Sequence, residues 1–139
     1  MSWRDKMRVD PSNAEIQVTA MLQQQKIYEL ERDWVLLIKD LEVVPKRKEK
    51  VTIQDLEGCR FTLPDWFSKR MKAVYLDGPM HKKGKTAERD YWINTWLRER
   101  GCDVLRIPYN GRRLPQKKLA QVVTEIKVFL KNGGVAGRG

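Results

Sequence analysis

The sequence of 139 residues has little cysteine, little histidine and no long apolar run. Cys59 and Cys102 form no C-x-x-C pair and stand beside no histidine cluster, so a structural zinc site is not expected and each thiol should act as a small buried hydrophobe. No apolar stretch approaches the roughly 18 to 20 residues that cross a bilayer. The charged N-terminus lacks the apolar segment of a signal peptide. We therefore expect a cytoplasmic protein with no membrane partner.

Acidic residues are outnumbered as well. The chain has 28 Lys and Arg against 18 Asp and Glu, which gives a net charge of +10. A surplus of this size favours nucleic acid or another polyanion as the partner. Hydrophobic residues make up 41% of the chain, enough for one globular core. The composition predicts a single domain over residues 1–139, with a polar arm at 1–11 and a flexible tail at 133–139.

Helix and strand signals alternate along the chain. A capping-box pattern, Ser12-Asn13-Ala14-Glu15, predicts a first helix that runs to about residue 32. The further predicted elements are a strand at 34–38 (or the tail of that helix), an extended piece at 41–44 ended by Pro45, a hairpin of 51–56 with 59–63 around Glu57-Gly58, a strand at 71–76, a helix from Thr86 to Arg100, a strand at 104–109 and a helix at 116–131. This order predicts an α/β fold with a central mixed β-sheet flanked by helices.

Acidic residues and the histidine gather near the ends of the predicted strands. Asp77 ends the strand at 71–76, Asp65 precedes that strand, and His81 follows it. Functional groups on such sheets lie at strand ends and in the adjoining loops. If the arm ending at Leu63 pairs antiparallel with the strand, Asp65 need not lie beside Asp77, so spacing alone leaves their relation open. The pattern nevertheless indicates metal-assisted chemistry on a polyanion.

The order of these motifs resembles that of the PD-(D/E)XK, restriction-endonuclease-like superfamily, and is most similar to its very-short-patch-repair endonuclease branch. The matching motifs are Pro64-Asp65, Asp77-Gly78, His81, Glu88-Arg89-Asp90, Gly101 and Val104-Leu105-Arg106. The resemblance covers about residues 58 to 109, and more loosely the first helix with Glu15. It implies a restriction-endonuclease-like core and an endonuclease that hydrolyses DNA with Mg²⁺, for which Mn²⁺ would substitute.

The resemblance also implies a role for each candidate residue. Asp65 and Asp77 would hold the metal ion, and one or two carboxylates suffice for Mg²⁺ when water and phosphate complete its shell. His81 would activate water or stabilise the transition state. Glu15 would assist at the edge of the site, although the capping box explains this residue equally well. Asp90 would orient His81.

The sequence departs from the superfamily pattern at two positions. Pro79 stands where the motif has its lysine, and Tyr75 stands where many relatives have a glutamate. The catalytic base is therefore open between His81 and the lysines of the loop that follows it. The same departures leave open a module that binds nucleic acid without cutting it.

Basic residues near the candidate site predict contacts with the DNA backbone. These residues are Lys82, Lys83, Lys85, Arg112 and Arg113. Such contacts position a backbone and do not read its sequence. Because no base-reading module is recognisable, we expect selectivity for branched DNA such as a Holliday junction, then for mismatched duplex, with RNA as a further alternative. Similarity to junction-resolving nucleases implies a homodimer. Trp92 and Trp96 are interpreted as packing residues rather than base-stacking platforms.

Overall fold

The computed structural model describes residues 12–78 and 84–132 as a mixed α/β structure. Its helices are α1 (Asn13–Gln24), α2 (Ile53–Gly58), α3 (Gly84–Glu99) and α4 (Gln116–Lys131). Its strands are β1 (Trp34–Ile38), β2 (Val43–Arg47), β3 (Arg60–Thr62), β4 (Trp66–Ser68), β5 (Lys72–Asp77) and β6 (Asp103–Pro108), with a 3₁₀ turn at Lys48–Lys50. The predicted arm at 1–11 and tail at 133–139 lie outside the described residues.

The strands form two three-stranded sheets instead of the one central sheet that was predicted. The first sheet has the order β2-β1-β3 and is antiparallel throughout. The second has the order β4-β5-β6, in which β4 is antiparallel and β6 parallel to β5. The segment before β1 is joined to β4 of the second sheet where Glu31 and Phe67 exchange two backbone hydrogen bonds of 2.8 Å. The mixed sheet is therefore the second one, and β5 is its fully buried central strand.

Alternate residues of β5 face two different cores. Val74 and Leu76 pack with the apolar faces of α1 and α4. Ala73 and Tyr75 pack with α3 and with β1 of the first sheet. Because side chains alternate between the two faces of a strand, α1 and α4 cover one face of β5, while α3 and the first sheet cover the other. No helix within the described ranges is long and apolar enough to cross a bilayer.

The first helix begins as predicted and ends earlier. Ser12 is its N-cap, with its Oγ accepting from the backbone N–H of Glu15 at 3.1 Å. The helix ends at Gln24 instead of residue 32, because Lys26 adopts a positive φ of 60° and the N–H of Ile27 bonds back to the carbonyl of Leu22. A left-handed residue of this kind closes a helix. The strand at 34–38 is confirmed as a strand and not a helix tail.

The predicted hairpin around Glu57-Gly58 is wrong, because residues 53–58 form α2. Thr52 and Asp55 make a capping box: the Thr52 hydroxyl accepts from the N–H of Asp55 at 3.1 Å, and the Asp55 carboxylate accepts from the N–H of Thr52 at 2.9 Å. Pro45 was predicted to end β2, yet it lies inside that strand. Since β2 is the outer strand of its sheet, the missing proline N–H costs no ladder bond there.

The second half of the chain follows the prediction closely. Helix α3 connects the parallel strands β5 and β6, and Gly101 ends this connection with a φ of 87°. At the first pair of the parallel ladder, buried Lys72 lies opposite buried Asp103, and the Nζ–Oδ2 distance is 2.6 Å. Helix α4 spans the predicted residues 116–131. The β5–α3–β6 unit is the part of the fold that positions the candidate site.

Candidate functional site

Strand β4, which the sequence did not predict, brings Asp65 to the carboxyl end of β5. Asp65 directly precedes β4, and its backbone N–H donates to the carbonyl of Val74 at 3.0 Å. Its side-chain Oδ2 accepts from the N–H of Leu76 at 2.7 Å. Leu76 is the neighbour of Asp77 in the chain, so Asp65 and Asp77 lie at the same strand end. The relation that spacing left open is thereby resolved.

Glu15 is turned toward this strand end as well. Its Oε1 lies 3.4 Å from the Ser12 hydroxyl, while its Oε2 accepts from the Arg32 guanidinium at 2.7 Å. Glu15, Arg32 and Asp65 line a cavity of about 240 Å³, together with Lys48 and Trp34. The capping pattern therefore predicts the start of the helix correctly, and the Glu15 carboxylate also lines the cavity.

The electrostatics of Asp65 reflect this crowding. Burial, together with the neighbouring charges of Glu15 and Asp77, raises the pKa of its carboxyl to about 7. The N–H of Leu76 and the charge of Arg32 act in the opposite direction. Since the repulsion between like charges weakens with distance, these effects place the three carboxylates near one another at the end of β5, with Arg32 as a counter-charge.

Arg106 of β6 supplies the positive charge opposite Asp77. Its Nη1 lies 3.1 Å and 3.3 Å from the two oxygens of Asp77 and 3.5 Å from Oδ2 of Asp90. Its Nε donates to Oδ1 of Asn94 at 2.6 Å. The guanidinium carbon lies 4.0 Å from the centre of the Tyr75 ring. Asp90 and Asn94 of α3 therefore orient the arginine, and the arginine orients Asp77.

Tyr75 occupies the position at which the resemblance leads us to expect a glutamate. Its hydroxyl is hydrogen-bonded to that of Thr62 at 2.8 Å, and burial raises the pKa of the phenol. Tyr75, Arg106 and Asp90 line a second cavity of about 210 Å³ with Arg89 and Thr86 of α3. A neutral phenol at this position packs the wall of the site and adds no negative charge to it.

Two of the predicted DNA-contacting residues lie at the same edge of the sheet. Arg112 and Arg113 are exposed in the loop after β6. The start of this loop is held to the end of β5, because the N–H of Tyr109 donates to the carbonyl of Asp77 at 2.9 Å. Its far end is held to α1 by two hydrogen bonds between Gln17 and the backbone of Leu114, of 2.8 Å and 3.0 Å. The two arginines thus extend into solvent from a loop tied to the site.

The remaining predicted residues belong to the loop after β5. His81, Lys82 and Lys83 lie outside the described residues, as does the side chain of Lys85 in the first turn of α3. Their predicted roles, and the predicted contact between Asp90 and His81, stay predictions.

The carboxylates fit a magnesium site in donor type. Mg²⁺ prefers oxygen ligands and is held by one or two carboxylates with water and phosphate. Asp65 and Asp77 offer these oxygens at one strand end. Within residues 12–78 and 84–132, no group of three His, Cys, Asp or Glu side chains is arranged to hold a metal ion. A metal ion at this strand end would have these two carboxylates as protein ligands and would take the rest of its shell from water and substrate.

Sequence reasoning gave no role to Arg106 or Arg32. For Arg106 a signal exists, because a charged residue inside an otherwise apolar strand requires a buried partner. Its partners come from β5 and α3, which only the fold brings together. Arg32 stands in an irregular stretch and carries no comparable signal. Comparison with protein-family models, curated proteins and solved structures finds no match to this chain.

Proposed function

We propose that this chain is a Mg²⁺-dependent DNA endonuclease built on a restriction-endonuclease-like core and selective for branched or otherwise distorted DNA. The observation that carries the proposal is the hydrogen bond of 2.7 Å from the Leu76 N–H to Asp65, which brings a second carboxylate to Asp77 at the end of β5. Two carboxylates at one strand end, in a chain of net charge +10, suit a metal ion that works on a polyanion.

The side chains divide the work of such a site. Asp65 and Asp77 would hold the ion, and Glu15 would strengthen the negative field that attracts it. When bound, Mg²⁺ supplies Lewis-acid activation of the scissile phosphate and of the attacking water. Water adds to phosphorus, the bond to the leaving oxygen breaks, and that oxygen takes up a proton. His81 remains the proposed acceptor of the proton from water.

The positive groups would hold the substrate. Arg112 and Arg113 on the loop after β6 would lie against phosphates that flank the cut, as would the lysines of the loop after β5. Contacts of this kind fix the backbone without reading bases, which supports selectivity for DNA shape. Cutting both strands of a four-way junction requires two active sites, so a homodimer is part of the proposal.

A second candidate is a non-catalytic nucleic-acid-binding module on the same fold. One observation favours it: both oxygens of Asp77 already face the Arg106 guanidinium at 3.1 Å and 3.3 Å, an internal cation that neutralises a carboxylate needed for a metal. Tyr75 and Pro79, at positions where the superfamily has acid and lysine, point the same way.

Cleavage assays separate the two. Plasmid, mismatched duplex and a four-way junction are incubated with the protein and either Mg²⁺ or EDTA, and cutting is expected only with Mg²⁺ or Mn²⁺. Asp65→Asn and Asp77→Asn should abolish cutting while DNA binding in EDTA survives. The matched control is Glu125→Gln, an exposed acid on α4 outside the site, which should cut normally. Binding of all three substrates with no cutting in Mg²⁺ or Mn²⁺ would establish the non-catalytic module. Paired symmetric nicks in the junction alone would identify the junction as the substrate of the endonuclease.

A further inference from the structure

Three aromatic rings form a continuous row on helix α3. The Tyr91 and Trp92 rings lie 5.3 Å apart edge to face, and Trp92 and Trp96 lie 6.3 Å apart with an angle of 29° between their planes. The row ends at Arg60 of β3, whose guanidinium carbon is 4.3 Å from the centre of the Trp96 ring. We call these four residues the aromatic ladder.

The outer part of the aromatic ladder faces water. Tyr91 is 61% exposed and Trp92 is 46% exposed, so Trp92 packs against its aromatic neighbours and also presents part of its ring to water. Trp96 is partly buried and packs against the core beside α3, as predicted. Exposed apolar surface that clusters in one place marks an interaction site more often than scattered residues do.

A positively charged groove adjoins the aromatic ladder. It has a volume of about 550 Å³ and is lined by Trp96 and by three cationic residues, Lys39, Arg60 and Arg100, against the single acid Asp40. Arg100 is held in place, because it donates to the backbone carbonyls of Lys39 and Trp96. A volume of this size lies in the range that accommodates small organic groups.

Aromatic rings next to cationic groups match the chemistry of unpaired nucleotides. Proteins bind single strands by stacking bases on aromatic side chains while positive residues follow the backbone. The bases of intact duplex are already stacked on one another and do not offer their faces. We propose that the aromatic ladder binds unpaired nucleotides of single-stranded DNA, with a base stacked on Trp92 and neighbouring phosphates against Arg60 and the groove.

This inference deepens the proposed function, on which the choice of DNA rests. Helix α3 carries the aromatic ladder as well as Asp90 and Asn94, which hold Arg106. The rings of the aromatic ladder and side chains of the site therefore lie on the same helix. Distorted DNA with a mismatch or a strand flap supplies unpaired nucleotides near the bond to be cut.

Binding in EDTA tests the inference without any cleavage. Fluorescein-labelled oligothymidylate and a blunt duplex are titrated with wild-type protein, Trp92→Ala, Trp92→Phe and the control Tyr28→Ala. Tyr28 is 69% exposed and lies far from α3 in the sequence, in the segment between α1 and β1. Trp92→Ala should weaken oligothymidylate binding about tenfold, since one stacked base contributes that much. Its effect on the duplex should stay under about twofold, Trp92→Phe should keep most of the affinity, and Tyr28→Ala should match the wild type.

Salt dependence separates stacking from charge. Arg60→Gln should reduce the slope of log affinity against log salt by about one, because one phosphate contact is lost. Trp92→Ala should leave that slope unchanged, and circular dichroism should show that this exposed substitution leaves the fold intact.

Two results would overturn the inference. The first is wild-type affinity of Trp92→Ala for oligothymidylate, or an equal loss in Tyr28→Ala. The second is a dimer that Trp92→Ala converts to a monomer with oligothymidylate binding unchanged, which would assign the ladder to a second copy of the chain. Weaker oligothymidylate binding by Trp92→Ala, in a protein that cuts no DNA, would support the role of the aromatic ladder and refute only the proposed nuclease activity.

Discussion

Replacing Asp65 by asparagine should stabilise this protein at neutral and alkaline pH. The buried carboxyl of Asp65 lies in the field of Glu15 and Asp77, and its pKa is raised from 3.8 to about 7. Asparagine has nearly the same shape, stays uncharged, and keeps an oxygen that can accept from the N–H of Leu76. The substitution therefore removes the cost of burying a charge, removes the repulsion from Glu15 and Asp77, and preserves the hydrogen bond.

The sign follows from proton linkage. Between pH 3.8 and about pH 7 the folded state holds a proton on Asp65 that the unfolded state has lost, so stability falls as the pH rises through this window. Each pKa unit corresponds to about 1.4 kcal/mol, which gives a loss on the order of 4 kcal/mol above pH 7. Asp65→Asn escapes this loss. It should equal the wild type near pH 4 and exceed it by about 2–4 kcal/mol at pH 8.

Urea unfolding followed by circular dichroism from pH 4 to pH 8.5 measures this difference. Asp40→Asn, a substitution of an exposed aspartate, should track the wild type across the range. Mg²⁺ should raise the unfolding midpoint of the wild type at pH 8 and leave Asp65→Asn unchanged, because the ion relieves the repulsion only when both carboxylates are present. Parallel stability curves for wild type and Asp65→Asn between pH 4 and pH 8 would refute the raised pKa of Asp65 and the burial and crowding that cause it.

Three further substitutions probe the frame around the site. Lys72→Met leaves Asp103 buried without its partner and should lower the free energy of unfolding by about 3–5 kcal/mol, measured from the urea midpoint; a loss below about 1 kcal/mol would show that the carboxylate finds water or another partner. The Cβ that Gly101→Ala adds meets no neighbouring atom, but the alanine must adopt a φ of 87°. The substitution should therefore lower the free energy of unfolding by about 1 kcal/mol in the same assay. An unchanged free energy of unfolding would show that the turn relaxes locally. Thr52→Ala removes the N-cap of α2 and should cost about 1 kcal/mol while thermal unfolding stays cooperative; Thr52→Ser should recover the loss if capping is the cause.

The second half of the chain could be predicted from its sequence because its signals are local. The apolar face of α4 repeats with helical spacing over sixteen residues, and Gly101 marks the end of α3. The strand ending at Asp77 is apolar and bounded by Gly78 and Pro79. Each of these elements is specified by residues within a few positions of it, so sequence reading found them.

The candidate site depended on contacts that no local pattern records. Strand β4 has only three residues, too few to show a period of two, and it is defined by its pairing with β5. Without β4 the position of Asp65 was undetermined. The role of Arg106 likewise requires the crossover that brings β6 beside β5. Residues 53–58 were misread because Glu57-Gly58 reads as a hairpin turn, and the capping box that begins at Thr52 was not considered.

The buried pair of Lys72 and Asp103 also fixes the register of the parallel ladder. These residues form its first rung, while Asp77 and Pro108 form the last. A slip of two residues would bury both charges without partners, so alternative registers of β5 against β6 are strongly disfavoured. The last rung lies five residues away, about 17 Å along the strand. The alignment of Asp77 with Arg106 is thus specified by an ion pair at the opposite end of the sheet. An apolar pair at the first rung would preserve stability but would allow other registers, in which Asp77 and Arg106 would not be aligned.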